Sequence, residues 1–273
     1  SWGEPPDLVL PPNGIVSDGK TVYVAMECTI HKYNSADAAY LGVFAGGGDC
    51  WAPDSLFASI SDIARDSAGN LYVTDRDLHR VTQLNKYGAV VATVGVRGEE
   101  GSDNAHFRYP EGIGLDKARN VYVADDSNCR VQKFDKRLRY LMTFTTTLCG
   151  NTHDRLGGPQ DVAVDAKGNV FVAEDWNNRI QIYDKAGAYL SSIGGSWGGT
   201  SGQLRVPMSL AMDKKGNLFV ADRFNHRIQV YAPGVPYFGQ QNLNGFGRRE
   251  ANWGETLAFF KNQLYAGTNG PNG

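Results

Sequence analysis

The sequence predicts an all-β protein, a six-bladed β-propeller of four-stranded antiparallel blades, from three observations. A similar segment recurs along the chain, and its arginines stand at nearly equal intervals, at Arg80, Arg130, Arg179 and Arg227. In each copy, apolar residues alternate with other residues, as they do in short strands. Glycine, asparagine and aspartate, which turns favour, separate these strands. A repeat of about fifty residues with several short strands is typical of one propeller blade.

Residues 161–183 show how one blade is built. Residues 161–165, 170–172 and 180–182 each alternate at period two, which predicts three short strands. A weaker fourth strand follows at residues 189–193, and a glycine-rich connector comes after it. One such sheet cannot bury both of its faces alone, whereas sheets repeated around an axis cover each other's faces.

Six predicted first strands set the number of blades. They begin near Gly14, Asp62, Gly112, Asp161, Ser209 and Thr256. The last blade is incomplete, and two interpretations stay open: residues 7–10 supply an outer strand that completes it, or the chain is a fragment of a longer polypeptide. The continuous repeat predicts a single domain over residues 1–273. The incomplete blade also suggests an edge for self-association.

The recurring segment resembles the NHL-repeat family. The copies pass from asparagine through an apolar strand to an acidic residue, and then to Arg-Ile-Gln or a close variant, as in residues 169–181 and 217–229. A proline opens several first strands, at Pro110, Pro159 and Pro207. The resemblance covers roughly residues 12–235. It implies a six-bladed propeller of NHL type whose first strands line a central channel.

Charge and hydropathy exclude two classes of partner. The formal net charge is −2, so no overall basic field attracts nucleic acid. No apolar run approaches the roughly 18 residues that a membrane-spanning helix needs. We therefore expect neither nucleic-acid binding nor membrane insertion.

The four cysteines occupy equivalent places in two blades. Cys28 and Cys129 lie in turns between second and third strands, and Cys50 and Cys149 follow the fourth strands of the same blades. This placement predicts the disulfides Cys28–Cys50 and Cys129–Cys149, with four buried thiols as the alternative. No Cys-x-x-Cys motif favours zinc. Disulfides imply an oxidising compartment, either extracellular or at the cell surface.

Three short segments also resemble the propeller of peptidyl-hydroxyglycine amidating lyases, at residues 72–80, 101–107 and 220–223. That family holds zinc with three histidines, each just after the proline, or its equivalent, that opens a first strand. The matching positions here are Ser61, Glu111, Gln160 and Met208. A zinc centre needs three converging protein ligands. We therefore expect no catalytic residues, no catalytic metal and no cofactor, with a structural Ca²⁺ in the channel as an open alternative.

Acid–arginine pairs recur in four copies. They are Asp75/Arg80, Asp125/Arg130, Asp175/Arg179 and Asp222/Arg227. Each pair brackets the predicted turn between second and third strands, so the guanidinium can reach the carboxylate or nearby carbonyl groups. A feature that every blade repeats is predicted to stabilise the blade.

Residues that differ between copies are candidates for binding. Trp176 and Phe224 are aromatic residues in turns of consecutive blades, where the strand pattern does not require them. Aromatic residues and arginine are the usual anchors of binding surfaces, with rings lying flat on the neighbouring blade as the alternative. The predicted ligand-binding face comprises Arg76, Asp77, Glu111, Trp176, Asn177, Arg223 and Phe224.

These patterns favour a non-catalytic extracellular module, of binding or structural type, that holds a protein, peptide or glycan partner on one propeller face. The alternative is a divergent propeller enzyme, lyase-like or hydrolase-like, that uses the central channel. The balanced charge and the predicted disulfides argue against a third class, RNA binding.

Overall fold

The structure, a computed structural model, describes residues 12–145, 148–233, 239–243, 252–260 and 263–269. It contains five antiparallel four-stranded sheets and one two-stranded sheet. Each four-stranded sheet is one blade, with its strands in sequence order. Neighbouring strands are joined by short turns, as alternation and turn residues predict.

The strands of the five blades follow each other regularly along the chain. Blade 1 contains β1 (Pro12–Ser17), β2 (Thr21–Met26), β3 (Thr29–Asn34) and β4 (Tyr40–Gly46). Blade 2 contains β5 (Ile60–Arg65), β6 (Leu71–Asp75), β7 (Arg80–Leu84) and β8 (Val90–Val94). Blade 3 contains β9 (Pro110–Leu115), β10 (Val121–Asp125), β11 (Arg130–Phe134) and β12 (Tyr140–Phe144). Blade 4 contains β13 (Pro159–Val164), β14 (Val170–Glu174), β15 (Arg179–Tyr183) and β16 (Tyr189–Gly194). Blade 5 contains β17 (Pro207–Met212), β18 (Leu218–Asp222), β19 (Arg227–Ala232) and β20 (Gly239–Leu243).

The prediction of six blades is wrong, because the structure has five. The two-stranded sheet consists of β21 (Asn252–Phe260) and β22 (Gln263–Asn269), and β21 contacts both β17 and β1. The predicted sixth first strand lies in β21, which among the described strands pairs with β22 alone. Residues 7–10, predicted to complete that blade, lie outside the described residues.

The first strands surround the propeller axis. Along the chain, β1 contacts β5, β5 contacts β9, β9 contacts β13, and β13 contacts β17. The hydrophobic core lies between blades, where the apolar faces of neighbouring sheets meet. Each connector between described blades adds one fully buried apolar residue three positions before the next first strand begins, and these are Phe57, Phe107, Leu156 and Leu204. We call the packed interface between two neighbouring blades a seam. These four residues pack in the seams and so hold the connectors in place.

Turns between second and third strands share one end of the propeller with the connectors between blades, and we call it the turn end. Both cysteine pairs join these two kinds of loop, with Cα–Cα distances of 5.5 Å for Cys28–Cys50 and 5.1 Å for Cys129–Cys149. These are the two pairings that the sequence predicts. Two disulfides suit an oxidising environment.

Buried arginines anchor the loops of the turn end. In blade 3, Arg130 Nε lies 2.7 Å from Asp125 Oδ2, and its terminal nitrogens donate to the carbonyls of Ser102, Asp103 and His106. Each guanidinium of this kind therefore holds a turn and a connector together.

The predicted acid–arginine pairs are direct ion pairs in blades 3 and 5, whereas in blade 2 Arg80 donates to the carbonyl of Leu56. The predicted pair of blade 4 is wrong by one residue. In blade 4 the partner of Arg179 is Glu174, 2.7 Å away, and not Asp175. Glu174 is the last residue of β14 and occupies the place of Asp125 and Asp222 in their blades. Asp175 is therefore free of this role and belongs to the turn itself.

Candidate binding face and channel mouth

Two acidic residues line the central channel. Asp62 of β5 and Asp161 of β13 line a cavity of about 210 Å³ at the turn end and also a cavity of about 280 Å³ at the other end. Both side chains therefore stand between the two cavities of the channel. The sequence analysis did not select them as site residues.

Asp161 joins two neighbouring blades. Its Oδ1 accepts a 2.6 Å hydrogen bond from the N–H of Val162. Its Oδ2 accepts from the N–H of Leu210 in blade 5 at 2.7 Å and from the hydroxyl of Ser209 at 3.1 Å. The carboxylate thus ties β13 to β17.

Asp62 makes the same connection two blades earlier. It accepts a 2.7 Å hydrogen bond from the N–H of Ile63 and a 3.1 Å hydrogen bond from the N–H of Ile113 in blade 3. Burial raises the pKa of Asp62 well above its ordinary value, and the negative charge of Asp161 raises it further. Burial also raises the pKa of Asp161, to about 7. Buried carboxyl groups that repel each other favour the protonated form.

A glycine faces each of these acids from the preceding blade. A Cβ added to Gly14 would lie 2.7 Å from the N atom of Ile63 and 3.0 Å from Asp62 Oδ1. A Cβ added to Gly112 would lie 2.7 Å from the carbonyl oxygen of Gln160 and would also collide with Asp161. Only glycine leaves room for the acid at these two positions.

Three of the predicted face residues form one ion network at the channel mouth. Arg76 Nε donates to Glu111 Oε1 at 2.7 Å, Arg76 Nη1 donates to Asp77 Oδ1 at 3.0 Å, and the guanidinium lies 4.8 Å over the ring of Tyr109. Burial raises the pKa of Glu111 to about 7, although Arg76 opposes this shift. Arg76 and Glu111 are therefore paired within the protein, and their charges are less available to a ligand.

Two further turn positions meet the first strand of the next blade. Asp126 accepts a 3.0 Å hydrogen bond from Gln160 Nε2. Asp175 occupies the same place in blade 4, but the residue of blade 5 that corresponds to Gln160 is the apolar Met208. Within the described part of the chain, Asp175 Oδ1 is buried without a hydrogen-bond partner. Burial raises the pKa of Asp175 to about 7, and the charge of Asp126 contributes.

Aromatic side chains are exposed on the turn end at blades 4 and 5. Trp176 is 60% exposed and Phe224 is 44% exposed. Trp197, in the connector between these blades, is 55% exposed, and the guanidinium of Arg205 lies 4.4 Å over its ring. Arg223 lies 5.5 Å over the ring of Phe224. We call Trp176, Trp197, Arg205, Arg223 and Phe224 the aromatic–arginine patch.

Asn177, also predicted for the face, is bonded within its blade. Its Nδ2 donates to the carbonyl of Gly150 at 2.7 Å and to Glu174 Oε2 at 2.6 Å. Asn128 and Asn225 make the equivalent bonds in blades 3 and 5. The amide thus helps to hold the loop, as it does in those blades.

The channel residues do not fit a three-histidine zinc centre. Glu111 is paired with Arg76, Gln160 with Asp126, and Ser61 donates to the carbonyl of Pro110 at 2.8 Å. Among the described residues, no three histidine, cysteine or acidic side chains group so as to hold a metal ion. Met208 is the fourth residue at a position that matches the zinc histidines, and its side chain is a thioether.

Trp197, Arg205, Asp62 and Asp161 are the residues that sequence reasoning missed. Trp197 stands in a connector, and its exposure is visible only in the structure. For the acids, a signal was present: equivalent first-strand positions carry glycine, acid, glycine, acid and serine in the order of the blades. Such alternation is typical of residues that share limited space around an axis.

Comparisons with known proteins agree with this architecture. Residues 7–194, more than half of the chain, match the family described as SMP-30/Gluconolactonase/LRE-like region, and residues 204–231 match the NHL repeat. The chain belongs to the SMP-30/gluconolactonase/LRE-like family of β-propellers. Its resemblance to NHL-repeat propellers is confirmed.

Curated relatives match over shorter segments. NHL repeat-containing protein 3 of Mus musculus is 33% identical over 110 residues, which are 40% of this chain and 31% of that protein. The probable peptidyl-alpha-hydroxyglycine alpha-amidating lyase of Caenorhabditis elegans is 32% identical over 84 residues, which are 30% of this chain and 24% of that protein. The chain thus spans less than a third of the length of these relatives.

Solved structures show the same fold at low identity. A streptogramin B lyase structure gives a TM-score of 0.65 at 14% identity and covers 95% of this chain and 78% of that chain. A chain of the nidogen/laminin complex gives 0.66 at 16% identity, with 90% and 84% covered. Enzymes and binding proteins thus share the fold, and the fold does not choose between them. In the described part of the chain, no helix has the length and apolar character required to cross a bilayer.

Proposed function

We propose that this propeller is a non-catalytic extracellular binding module that holds a protein partner on the turn end at blades 4 and 5. The observation that carries the proposal is the exposure of Trp176, Trp197 and Phe224 together on loops of adjacent blades. Blade packing does not use these rings, because the seams are filled by other residues, among them Leu156 and Leu204.

Exposed aromatic side chains beside arginines are typical of binding anchors. Tryptophan and arginine are enriched among residues that dominate binding energy, and clustered exposed apolar surface marks interaction sites. The remainder of the predicted face is less available, because Arg76, Glu111 and Asn177 are engaged in contacts within the protein. The anchor set is therefore best assigned to the aromatic–arginine patch.

The extracellular location is inferred from the disulfides. Both pairs lie in loops of the turn end, where they hold a turn to a connector. Such bonds persist in oxidising compartments.

The test compares capture of partners by immobilised variants. W176A/F224A should lose capture of extracellular proteins that the wild type retains, while its thermal unfolding stays within a few degrees because the rings are exposed. The matched control is Y87A, whose ring is 80% exposed in the hairpin turn between β7 and β8 at the opposite end. It should capture like the wild type. Equal capture by W176A/F224A and the wild type would overturn the proposal.

A second candidate function is acid–base chemistry in the channel. The observation that favours it is that Glu111 and Asp161, both at the 210 Å³ cavity, have pKa values raised to about 7 by burial. Groups with such pKa values suit general acid–base catalysis near neutral pH. Turnover of a peptidyl-hydroxyglycine substrate, abolished in E111Q and D161N, would support this function. Metal analysis of the purified protein tests the structural Ca²⁺ alternative in the same preparation.

A further inference from the structure

The charges around the aromatic–arginine patch are unevenly distributed. The connector between blades 4 and 5, residues 195–206, and the turn at residues 223–226 contain Arg205 and Arg223 but no aspartate or glutamate. The whole chain, in contrast, carries a formal net charge of −2. The two loops that carry Trp197 and Phe224 are therefore cationic in an acidic protein, whereas the turn that carries Trp176 also contains Asp175.

Another connector of the same end has an excess of acidic residues. The connector between blades 2 and 3, residues 95–109, carries three carboxylates, Glu99, Glu100 and Asp103, beside two arginines. Of these, Arg108 pairs with Glu100 at 3.0 Å, and Arg97 donates to the carbonyls of Ser55 and Ala52. At the turn end, the connector between blades 2 and 3 is thus acidic, whereas the connector between blades 4 and 5 is cationic.

The geometry of Arg205 suits a carboxylate. Its guanidinium is stacked over the indole of Trp197 at 4.4 Å. Stacking uses the face of the guanidinium and leaves the in-plane N–H donors of its terminal nitrogens for a planar acceptor. A carboxylate accepts two parallel hydrogen bonds from such a fork. Trp197 meanwhile keeps more than half of its surface exposed for an apolar side chain.

We infer that the segment bound by this patch is an acidic peptide stretch of a protein, with carboxylate side chains next to a large apolar side chain. The inference rests on the proposed function, which it deepens by naming the chemistry of the partner. The apolar side chain packs among Trp176, Trp197 and Phe224, and a carboxylate pairs with Arg205. Repulsion from the acidic connector between blades 2 and 3 sets the direction of the segment, because its acidic end avoids that connector.

The probe is a displayed library of random dodecapeptides. The library is first depleted on immobilised W176A/F224A and then selected on the wild type, so that surviving peptides depend on the aromatic rings. Net-acidic peptides with an aromatic or aliphatic residue should be enriched. Their affinity, measured by fluorescence polarisation, should fall roughly tenfold or more in R205E and should weaken with added salt.

The control variant is R137E, which makes the same charge change on an exposed arginine in the hairpin turn between β11 and β12, at the opposite end. Its affinity for the selected peptides should equal that of the wild type. If R205E fails to fold, R205Q, which removes the charge without reversing it, replaces R205E as the test variant.

The outcomes separate the two proposals. Enriched peptides that are neutral or basic, or acidic peptides that bind R205E and R205Q as well as the wild type, overturn the acidic-peptide inference and leave the binding face in place. Failure of any peptide to survive depletion on W176A/F224A counts against the proposed function itself. A heparin-derived oligosaccharide that binds through Arg205 when no peptide does would assign the patch to a sulfated glycan and overturn the peptide inference.

Discussion

Asp161 Oδ2 accepts a 2.7 Å hydrogen bond from the backbone N–H of Leu210 in the neighbouring blade. A titratable side chain is therefore part of the contact between blades 4 and 5. Since burial raises its pKa to about 7, the strength of this contact depends on pH within the physiological range.

The first prediction concerns stability against pH. The folded-state pKa of Asp161 lies above the ordinary value of 3.8, so the folded protein binds this proton more tightly than the unfolded chain does. The contribution is complete below the unfolded pKa and is lost as pH rises through about 7. The free energy of unfolding should fall between pH 5.5 and pH 8.5, and D161N should reduce this fall by on the order of 2 kcal/mol.

Urea unfolding at the two pH values measures this difference. D37N, which changes an exposed aspartate in blade 1, should keep the pH dependence of the wild type. A fall in stability that is the same in D161N and the wild type would show that Asp161 does not titrate in this range.

The second prediction concerns the loop anchors. R130A leaves the carboxylate of Asp125 buried without its 2.7 Å partner and removes the bonds to three carbonyl groups. Breaking a buried pair from one side costs about 3–5 kcal/mol. R139A breaks the 2.6 Å pair with Asp135 on the surface, where Arg139 is 75% exposed, and should cost less than about 1 kcal/mol. Chemical denaturation compares the two variants, and equal losses would contradict a role for burial.

The third prediction concerns the disulfides. Intact mass of the non-reduced protein should be lower than that of the reduced protein by four hydrogen masses, and labelling without reductant should find no free thiol. C129S/C149S opens a loop with a sequence separation of 20, and loops of this size contribute about 3 kcal/mol. Its thermal midpoint should therefore fall, and reductant should lower it less than it lowers that of the wild type. Free thiols in freshly purified protein would contradict both pairings and the extracellular assignment.

Local patterns predicted the strands well. The β-branched and aromatic residues at 170–172 and the isoleucines at 180 and 182 predicted β14 and β15, because such residues suit strands whose two faces are both buried, as they are here. The number of blades was not predictable in the same way. An apolar run such as that in β21 indicates a strand, but nothing in it states how many partners the strand will have.

The acid–arginine pairing failed for a different reason. Asp175 was matched to Asp75, Asp125 and Asp222 by residue type, yet each of those stands five positions before its arginine and Asp175 stands only four before Arg179. Glu174 has the correct separation. In blade 4, position in the strand, and not the identity of the acid, decides which carboxylate points at the guanidinium, so spacing carried more information there than residue type.

Binding residues were the hardest to predict, because solvent exposure is a tertiary property. Trp176 and Trp197 both stand in loops, and the sequence gives no measure of how far each ring projects. The exposure of both rings follows from the seams already being filled by Leu156 and Leu204. Which residues fill a seam depends on how all of the blades pack together.

The matching of glycine and acid around the axis restricts how this protein can evolve. Asp62 fits only beside Gly14, and Asp161 only beside Gly112. A tandem duplication of one acid-bearing unit would set two carboxylates in the space of one, whereas copying a glycine-bearing unit together with its acid-bearing neighbour would keep every contact. Lineages that gain or lose glycine-bearing and acid-bearing blades should therefore gain or lose them in neighbouring pairs.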